Sequence, residues 1–217
     1  MTSSTVSPAV TASLVSPSPR VATRRLLAAG VIAGPLYAVV GFAQAFTRPE
    51  FDVTRHPLSL LSLGDLGWIQ IANFVITGVL LSAMAAGLRR VPVPARRGIA
   101  RPWSIGLFGF GMAAAGVFVA DSGTTMTWHG MGHMFAGLIG FTSLIAGCLA
   151  VAVRAFRDGA RGWAVFSGIT GVAYLVGFGG ISVTAGHPVG VMAFTGATLI
   201  GWAWIAVAAR RAAAHVA

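Results

Sequence analysis

Residues 132–153 read GHMFAGLIGFTSLIAGCLAVAV, an apolar run without arginine, aspartate or glutamate. A helix needs about 20 such residues to cross the hydrocarbon core of a bilayer. Because lipid offers no hydrogen-bond partners, the backbone of such a run must satisfy itself by forming a helix. A membrane β-barrel would instead show alternating segments of about 10 residues. The run therefore predicts one membrane-spanning helix.

Five further stretches have the same character, with no arginine in their interiors. The six predicted spans are 26–46, 67–88, 103–120, 132–153, 163–184 and 190–209. Of the 217 residues, 56% are hydrophobic and 9% are charged, and the mean hydropathy is +0.81. A soluble domain carries about 25% charged residues, so that class is excluded. The sequence predicts an all-α integral membrane protein, a six-helix bundle built as three helical hairpins within residues 24–211.

The arginines predict the orientation of this bundle. All fifteen basic residues are arginine, and the formal net charge is +10. Only Arg48 and Arg55 fall on one side of the predicted spans, and the other thirteen lie on the opposite side. The positive-inside rule places the thirteen in the cytoplasm, which predicts the cytoplasmic (inner) membrane with both termini inside. The expected partner is the lipid bilayer and not nucleic acid, because the arginines form separate clusters between apolar runs rather than one patch.

The two ends of the chain are expected to lie outside the bundle. Residues 1–23 are rich in serine, threonine, proline and alanine, and predict a disordered cytoplasmic tail. Residues 212–217 form a second, short cytoplasmic tail. The first apolar run exceeds the core of a usual signal peptide, which favours a signal anchor. Cleavage after Ala43-Gln44-Ala45 is the alternative, and it would move the N-terminus outside.

Small residues indicate how the helices pack. The chain has 29 glycines, and Gly30 and Gly34 form a GxxxG pair in the first span. Small residues let helix backbones approach closely where lipid provides no hydrophobic drive for association. The favoured interpretation is packing within one chain; dimerisation through the same faces is the alternative, and the oligomeric state is left open.

Polar side chains gather where the predicted spans meet the outer surface. Intramembrane polar groups are costly and often mark function. This one-sided distribution predicts a pocket that opens outward and takes a lipid or small-molecule ligand. Its candidate residues are His56, Ser59, Asp65, Gln70, Asn73, Asp121, His129, His133 and His187.

His129 and His133 lie four residues apart, which places both imidazoles on one helix face. This spacing suits zinc ligands and proton relays. Asp121 ends the third predicted span, where the helix dipole disfavours an anion, so a histidine partner is expected. Asp121, His129 and His133 are therefore candidate catalytic residues, with His129 and His133 as candidate zinc ligands. The alternatives are interfacial histidines beside Trp128 and a loop aspartate in a local turn.

Several of these residues also have purely structural interpretations. Asp65 precedes the second span, where aspartate is a preferred N-cap. His187 precedes Pro188, which suits the first position of a helix. Segment 56–64 has a proline near its start and a glycine at its end, and predicts a short helix at the interface or over the pocket.

The segments RHPLS (55–59) and LGDLGWIQIANF (63–74) resemble a bacterial and archaeal family known only as DUF998, a domain of unknown function. VAD (119–121) and HGMGH (129–133) fit the same pattern. The resemblance covers residues 26–209 and implies a six-helix membrane protein whose polar residues share an unspecified role. A more distant similarity is to transmembrane hydrolases related to alkaline ceramidases, which hold zinc with serine, aspartate and histidines. The matching types here are Ser59, Asp121, His129, His133 and either His56 or His187, in a different order.

Three functions are compatible with these patterns. The leading expectation is a polytopic membrane protein of undefined activity with an outward-facing His/Asp pocket. The first alternative is a metal-dependent membrane hydrolase that acts on a lipid or lipid-linked substrate through zinc-activated water. The second is a small-molecule transporter or a structural, partner-binding membrane protein. The spans lack the mid-membrane charges and broken helices that are typical of transporters.

Overall fold

The computed structural model describes residues 18–123, 125–184 and 186–216. Within these ranges the chain forms seven α-helices and one 3₁₀ helix. They are α1 (Pro19–Thr47), the 3₁₀ helix (Leu58–Ser62), α2 (Gly67–Arg89), α3 (Val93–Arg97), α4 (Pro102–Val117), α5 (Trp128–Arg157), α6 (Arg161–Thr184) and α7 (Pro188–Ala213).

The predicted all-helical, membrane-type architecture is confirmed. Helices α1, α2, α5, α6 and α7 are long and apolar enough to cross a membrane, whereas α4 is apolar but only 16 residues long. The third predicted span, 103–120, is therefore helical only to Val117. The short helix α3 was not predicted.

The first helix begins earlier than the sequence suggested. Residues 19–23, assigned above to a disordered tail, are helical. The side chain of Ser18 accepts a hydrogen bond from the backbone N–H of Val21, and Pro19 occupies the first helical position. Both features favour helix initiation. Residues 1–17 of the expected tail lie outside the described residues.

Six helices pack into a closed ring. α1 packs on α2, α2 on α4, α4 on α5, α5 on α6, α6 on α7, and α7 returns to α1. Arg24 of α1 donates a hydrogen bond to the backbone carbonyl of Val216, at 3.0 Å, so the first and last helices meet at one end of the bundle. The bundle therefore has two distinct ends.

We call the two ends of the bundle the arginine end and the loop end. The loop end holds the connections from α1 to α2, from α4 to α5 and from α6 to α7. The opposite, arginine end holds the thirteen arginines that the sequence grouped together: Arg20, Arg24, Arg25, Arg89, Arg90, Arg96, Arg97, Arg101, Arg154, Arg157, Arg161, Arg210 and Arg211.

Glycines allow neighbouring helices of the ring to pack closely. A Cβ on Gly30 would collide with Met84 of α2, and a Cβ on Gly34 would lie 2.7 Å from the Cβ of Trp202 in α7. The predicted role of this pair in packing within one chain is confirmed. Between α2 and α4 the backbones themselves touch at Gly78 and Gly109.

The arginine end is filled with side chains. Trp163 and Trp204 stack with ring centroids 5.5 Å apart, and the guanidinium of Arg211 lies 5.0 Å above the Trp163 ring. The indole N–H of Trp163 donates to the carbonyl of Gly98, and that of Trp204 donates to the hydroxyl of Ser167, both at 2.9 Å. These two indole N–H groups are thus satisfied inside a dense core.

The connection from α1 to α2 carries the predicted short helix. Segment 56–64 forms the 3₁₀ helix, with Pro57 as its N-cap residue. Gly64 has φ of +73°, in the left-handed region where glycine carries no steric penalty. The proline and glycine boundaries expected from the sequence are therefore confirmed.

The α2–α4 contact yields a stability test. In Gly78→Ala the new methyl would lie 2.5 Å from the carbonyl oxygen of Gly109 and 2.7 Å from the backbone nitrogen of Ala113. We expect the free energy of unfolding to fall by about 1–3 kcal/mol, the usual cost of overpacking. Unfolding by SDS in bicelles measures it.

Gly179→Ala is the matched control. Gly179 is exposed on α6, with no atom within 4 Å of its Cβ position. Alanine there should leave stability unchanged or raise it slightly, because alanine is the better helix former. If Gly78→Ala is as stable as the wild type, the close approach of α2 and α4 is wrong.

Candidate functional site

A cavity of about 360 Å³ lies inside the ring, in the half next to the loop end. It is half-enclosed, and every ring helix contributes to its wall, together with the 3₁₀ helix and the α4–α5 connection. We call it the loop-end cavity. Its volume lies within the range of roughly 300–1,000 Å³ that is typical of small-molecule sites.

Aromatic rings form the deep part of the cavity. The ring of Trp202 lies 5.3 Å from that of Tyr37 and 5.6 Å from that of Phe108. Phe108 also lies 5.7 Å from Phe141. The lining of α5 runs from Gly130 to Phe141, which is about 16 Å along the helix axis. The rings therefore separate the cavity from the filled arginine end.

Small residues line one side of the cavity: Gly111 and Ala115 of α4, and Ala136, Gly137 and Gly140 of α5. Gly111 lies at the α4–α5 contact, because a Cβ there would lie 2.6 Å from the carbonyl oxygen of Ala136 and 2.9 Å from the Cα of Gly140. In the Cβ direction of Gly137 there are only ordinary contacts, with Phe141 and Phe178. The small residues thus bring α4 and α5 close together, and Gly137 is the position from which a larger side chain would enter the cavity.

Asp121 lines the cavity and lies on the connection from α4 to α5. Its carboxylate accepts hydrogen bonds from the backbone N–H of Thr127, at 2.7 Å, and from the Thr127 hydroxyl, at 2.8 Å. These two bonds, the backbone one foremost, hold the pKa of Asp121 below its usual range. The carboxylate is therefore ionised at neutral pH.

The setting of Asp121 differs from the sequence-based expectation. α4 ends at Val117, so Asp121 is not at its C-terminal end but beside Thr127, the N-cap residue of α5. The positive end of the α5 dipole favours an anion there. Among the described residues, no hydrogen bond joins Asp121 to a histidine, and Thr127 takes the place of the expected partner.

His133 lines the cavity with a defined ring orientation. Its Nδ1 lies 2.8 Å from the carbonyl oxygen of Phe118 and 3.2 Å from that of Ala115. Carbonyl oxygens only accept, so Nδ1 must carry the proton that it donates. In the neutral imidazole, Nε2 is then left as a hydrogen-bond acceptor. The ring also packs edge-on against Phe74, at 6.0 Å.

Ser59 reaches the cavity from the 3₁₀ helix. Together with Pro57 and Leu58 it lines the cavity on the loop side. No hydrogen bond of its hydroxyl is found among the described residues. The 3₁₀ helix thus covers part of the cavity. This is one of the two placements that the sequence predicted for segment 56–64.

His129 does not line the cavity. Its ring stacks on Trp128 with centroids 3.5 Å apart, and its Nδ1 is buried without a hydrogen-bond partner in the described structure. Within residues 18–123, 125–184 and 186–216, no three His, Cys, Asp or Glu side chains group as a metal site would need. The i, i+4 pair is present on α5, but the zinc ligation expected of it remains a prediction.

Three other candidates lie at the loop end outside the cavity. His56 Nδ1 accepts a hydrogen bond from the Asp52 backbone N–H at 3.0 Å. His187 is the N-cap residue of α7, and its Nδ1 accepts from the Val189 backbone N–H at 3.3 Å, which confirms the capping interpretation. Asp65 is exposed and does not cap α2; the N-cap residue is Leu66, without a side-chain hydrogen bond. The capping interpretation of Asp65 is therefore wrong.

Gln70 and Asn73 are buried between α1 and α2 and do not line the cavity. Gln70 Oε1 accepts hydrogen bonds from Gln44 Nε2 at 3.0 Å and from Asn73 Nδ2 at 3.2 Å. Asn73 Nδ2 also lies 3.1 Å from the carbonyl oxygen of Tyr37. The two residues thus join α1 to α2 beside the cavity.

Arg48 is the residue that sequence reasoning missed. Its guanidinium donates to Gln44 Oε1 at 2.7 Å and to three backbone carbonyls that follow the 3₁₀ helix or end it: Leu61 at 2.8 Å, Leu63 at 3.2 Å and Leu66 at 2.7 Å. One side chain therefore ties the end of α1 to the whole α1–α2 connection. The only signal in the sequence was its place as one of the two arginines on the side away from the other thirteen.

Comparison with known proteins now adds the family. The family model described as "Protein of unknown function (DUF998)" matches residues 31–211. The chain belongs to the DUF998 family. The matched region contains the whole cavity lining, and the resemblance expected from segments 55–59 and 63–74 is confirmed. No curated protein and no solved structure matches the chain.

The Arg48 contacts predict a stability defect in this DUF998 protein. Lysine keeps the charge of Arg48 but cannot reproduce a planar guanidinium that serves four acceptors. We expect Arg48→Lys to lower the free energy of unfolding by roughly 2 kcal/mol or more, since hydrogen bonds to charged groups contribute about 1.5–3 kcal/mol each.

Arg55→Lys provides the comparison. Arg55 is exposed and lies 3.7 Å from Asp52, a surface pair worth at most about 1 kcal/mol. Thermal unfolding in detergent should therefore separate the two variants clearly. Equal melting temperatures for Arg48→Lys and Arg55→Lys would show that Arg48 does not fasten the loop end.

Proposed function

We propose that this DUF998 protein is a multi-pass protein of the cytoplasmic membrane that binds the chain of an amphiphile in its loop-end cavity. The observation that carries the proposal is the form of the cavity. It is aromatic at depth, where the Thr198 hydroxyl donates to the carbonyl of Phe194 in its own helix, and its acidic residue Asp121 lies with His133 and Ser59 at the end where the loops lie. An amphiphile has the same division into an apolar chain and a polar head.

The length of the cavity supports a single chain. Its lining covers about 16 Å of α5, roughly half of the ~30 Å hydrocarbon thickness of a bilayer. A chain inserted from one leaflet would therefore reach the aromatic rings and stop there. The filled arginine end leaves no continuation to the other leaflet.

The charge distribution supports the orientation. We propose that the arginine end faces the cytoplasm with both termini, in keeping with the positive-inside rule. α4 then serves as the sixth crossing, because it occupies a full place in the ring between α2 and α5. Its 16 residues are extended toward the loop surface by the partly buried segment 118–120. The cavity in this arrangement opens to the outer leaflet.

A lipid hydrolase in the same cavity is the second candidate. Ser59, Asp121 and His133 all line it, and His133 Nε2 is free to act as a base. This version relies on the serine and histidine rather than on zinc. Metal bound by the purified protein, compared with His129→Ala and His133→Ala, tests the zinc prediction separately. No feature of the cavity favours a transporter in the way that Ser59, Asp121 and His133 favour a hydrolase.

The orientation has a direct labelling test. Cys148 is the single cysteine and is fully buried, so Cys148→Ala gives a cysteine-free background. Into it we would place one exposed cysteine at a time: Ser122→Cys beside α5, Pro94→Cys in α3, and Ala214→Cys after α7. We expect a membrane-impermeant maleimide to label only Ser122→Cys in intact spheroplasts.

The other two positions should label after the membrane is permeabilised. Because Pro94 and Ser122 flank α4, opposite accessibility of these positions establishes that α4 crosses. If Pro94→Cys reacts from outside, the arginine end does not face the cytoplasm and the proposed orientation fails.

Binding of an alkyl chain in the cavity can be measured by native mass spectrometry. The protein would be purified in a sterol-based detergent, which offers no competing alkyl chain, and incubated with dodecanol. We expect native mass spectrometry to show one bound dodecanol per chain. Gly137→Leu should abolish this adduct, because Gly137 lines the cavity and its Cβ direction has only ordinary contacts with Phe141 and Phe178.

Gly179→Leu adds the same side chain to the exposed face of α6 and should retain the adduct. Both variants are first compared with the wild type by thermal unfolding, so that loss of binding is separated from loss of fold. Equal binding by the wild type and Gly137→Leu would place the probe elsewhere and refute the proposal.

A further inference from the structure

Among its described residues, the cavity lining carries one acidic side chain and no arginine. Asp121 is the only acidic side chain among the described lining residues, and neither arginine nor lysine is among them. Its carboxylate is ionised, because the hydrogen bonds from Thr127 lower its pKa. A ligand whose head lies at this end of the cavity therefore meets an anion.

Neither arginine of the loop end neutralises this anion. Arg48 and Arg55 are the two arginines of the loop end. The Arg48 guanidinium is committed to Gln44 and to backbone carbonyls, and the Arg55 guanidinium lies 3.7 Å from Asp52. Neither residue lines the cavity. The negative charge of Asp121 is thus available to a ligand.

The other polar groups at this end offer acceptors. His133 donates from Nδ1 to the carbonyl oxygens of Ala115 and Phe118, and in the neutral imidazole Nε2 is then an acceptor. The hydroxyl of Ser59 can accept as well as donate. Head groups that carry several donors match this set better than head groups that carry acceptors.

The N-terminus of α5 does not reverse this preference. Helix N-termini attract anions, and one lies at this end of the cavity. Asp121 already occupies it: its carboxylate binds the backbone N–H of Thr127, and a Cβ on Gly130 would collide with that carboxylate. An anionic head would have to displace Asp121 or lie against it.

We propose that the loop-end cavity selects an amphiphile with a primary ammonium head over one with a carboxylate head. This inference rests on the proposed function, because it assumes that a chain occupies the cavity. The ammonium donates to the carboxylate of Asp121, and its remaining donors are directed to His133 Nε2 and Ser59 Oγ. An alcohol with the same chain binds with intermediate strength.

The test uses three probes with one chain length: dodecylamine, dodecanol and dodecanoate. Native mass spectrometry of the full chain at neutral pH, in the same sterol-based detergent, measures the adduct of each and their competition. The wild type is expected to prefer dodecylamine over dodecanol by about tenfold, because the ammonium donor carries a full positive charge and hydrogen bonds between ionised groups are the stronger ones. Dodecanoate is expected to bind least.

Asp121→Asn removes the charge while its amide can still bond Thr127. It should bring dodecylamine and dodecanol to near-equal binding. Asp65→Asn removes one charge from the same end of the bundle at an exposed residue outside the cavity, so it should keep the wild-type preference. This control separates a site in the cavity from general attraction of amines to an acidic surface.

The outcomes separate the two proposals. If none of the three probes binds, the proposed function fails. If all three bind equally, the cavity takes chains but the head-group inference is wrong. Preference for dodecanoate, or an equal loss of amine preference in Asp121→Asn and Asp65→Asn, would also overturn the inference while leaving a chain-binding cavity in place.

Discussion

The guanidinium of Arg48 fixes the geometry of the loop end. It donates to the side chain of Gln44 and to the carbonyls of Leu61, Leu63 and Leu66, so the α1–α2 connection cannot move independently of α1. Without this arginine the part-buried carbonyls of Leu61 and Leu63 would need other donors, at a cost of about 1–3 kcal/mol each. The position of Ser59 over the cavity depends on this connection. The same residue is thereby removed from the cavity as a free cation, which leaves Asp121 to set the charge there.

The two halves of the ring differ in what their inner faces carry. Toward the arginine end, tryptophans and long aliphatic side chains meet and fill the interior, as the Trp163–Trp204 stack illustrates. Toward the loop end the interior holds the cavity, and the rings of Tyr37, Phe108 and Trp202 mark its boundary. Since lipid supplies no hydrophobic drive for helix association, glycine contacts such as Gly78 with Gly109 keep the ring closed around this space.

Much of the fold follows from the sequence, but less of the site does. Apolar runs predict helices because lipid leaves the backbone no alternative, and five of them are long enough in the structure to cross a membrane. The ends of the helices were harder to predict, since α1 begins at Pro19 and α4 ends at Val117. The early end of α4 places Asp121 beside α5 instead of at the end of α4. The nine candidate residues were chosen by amino-acid type, and the type of a residue does not determine where its side chain points. Gln70 turns toward α1, His187 caps α7, and only Ser59, Asp121 and His133 reach the cavity. Its aromatic boundary could not be predicted, because tyrosine, phenylalanine and tryptophan are equally ordinary in any membrane helix.

The ring is hollow near the loop end and filled near the arginine end, and both proposals depend on this difference. Apolar cavities bind xenon, so crystals of the protein under xenon pressure can reveal which half is hollow. We expect an anomalous xenon peak, or acyl-chain density that excludes it, among Phe108, Phe141 and Trp202, and no peak between Trp163 and the end of α7. Closure of those three rings onto one another with no peak, or a peak confined to the arginine end, would contradict it.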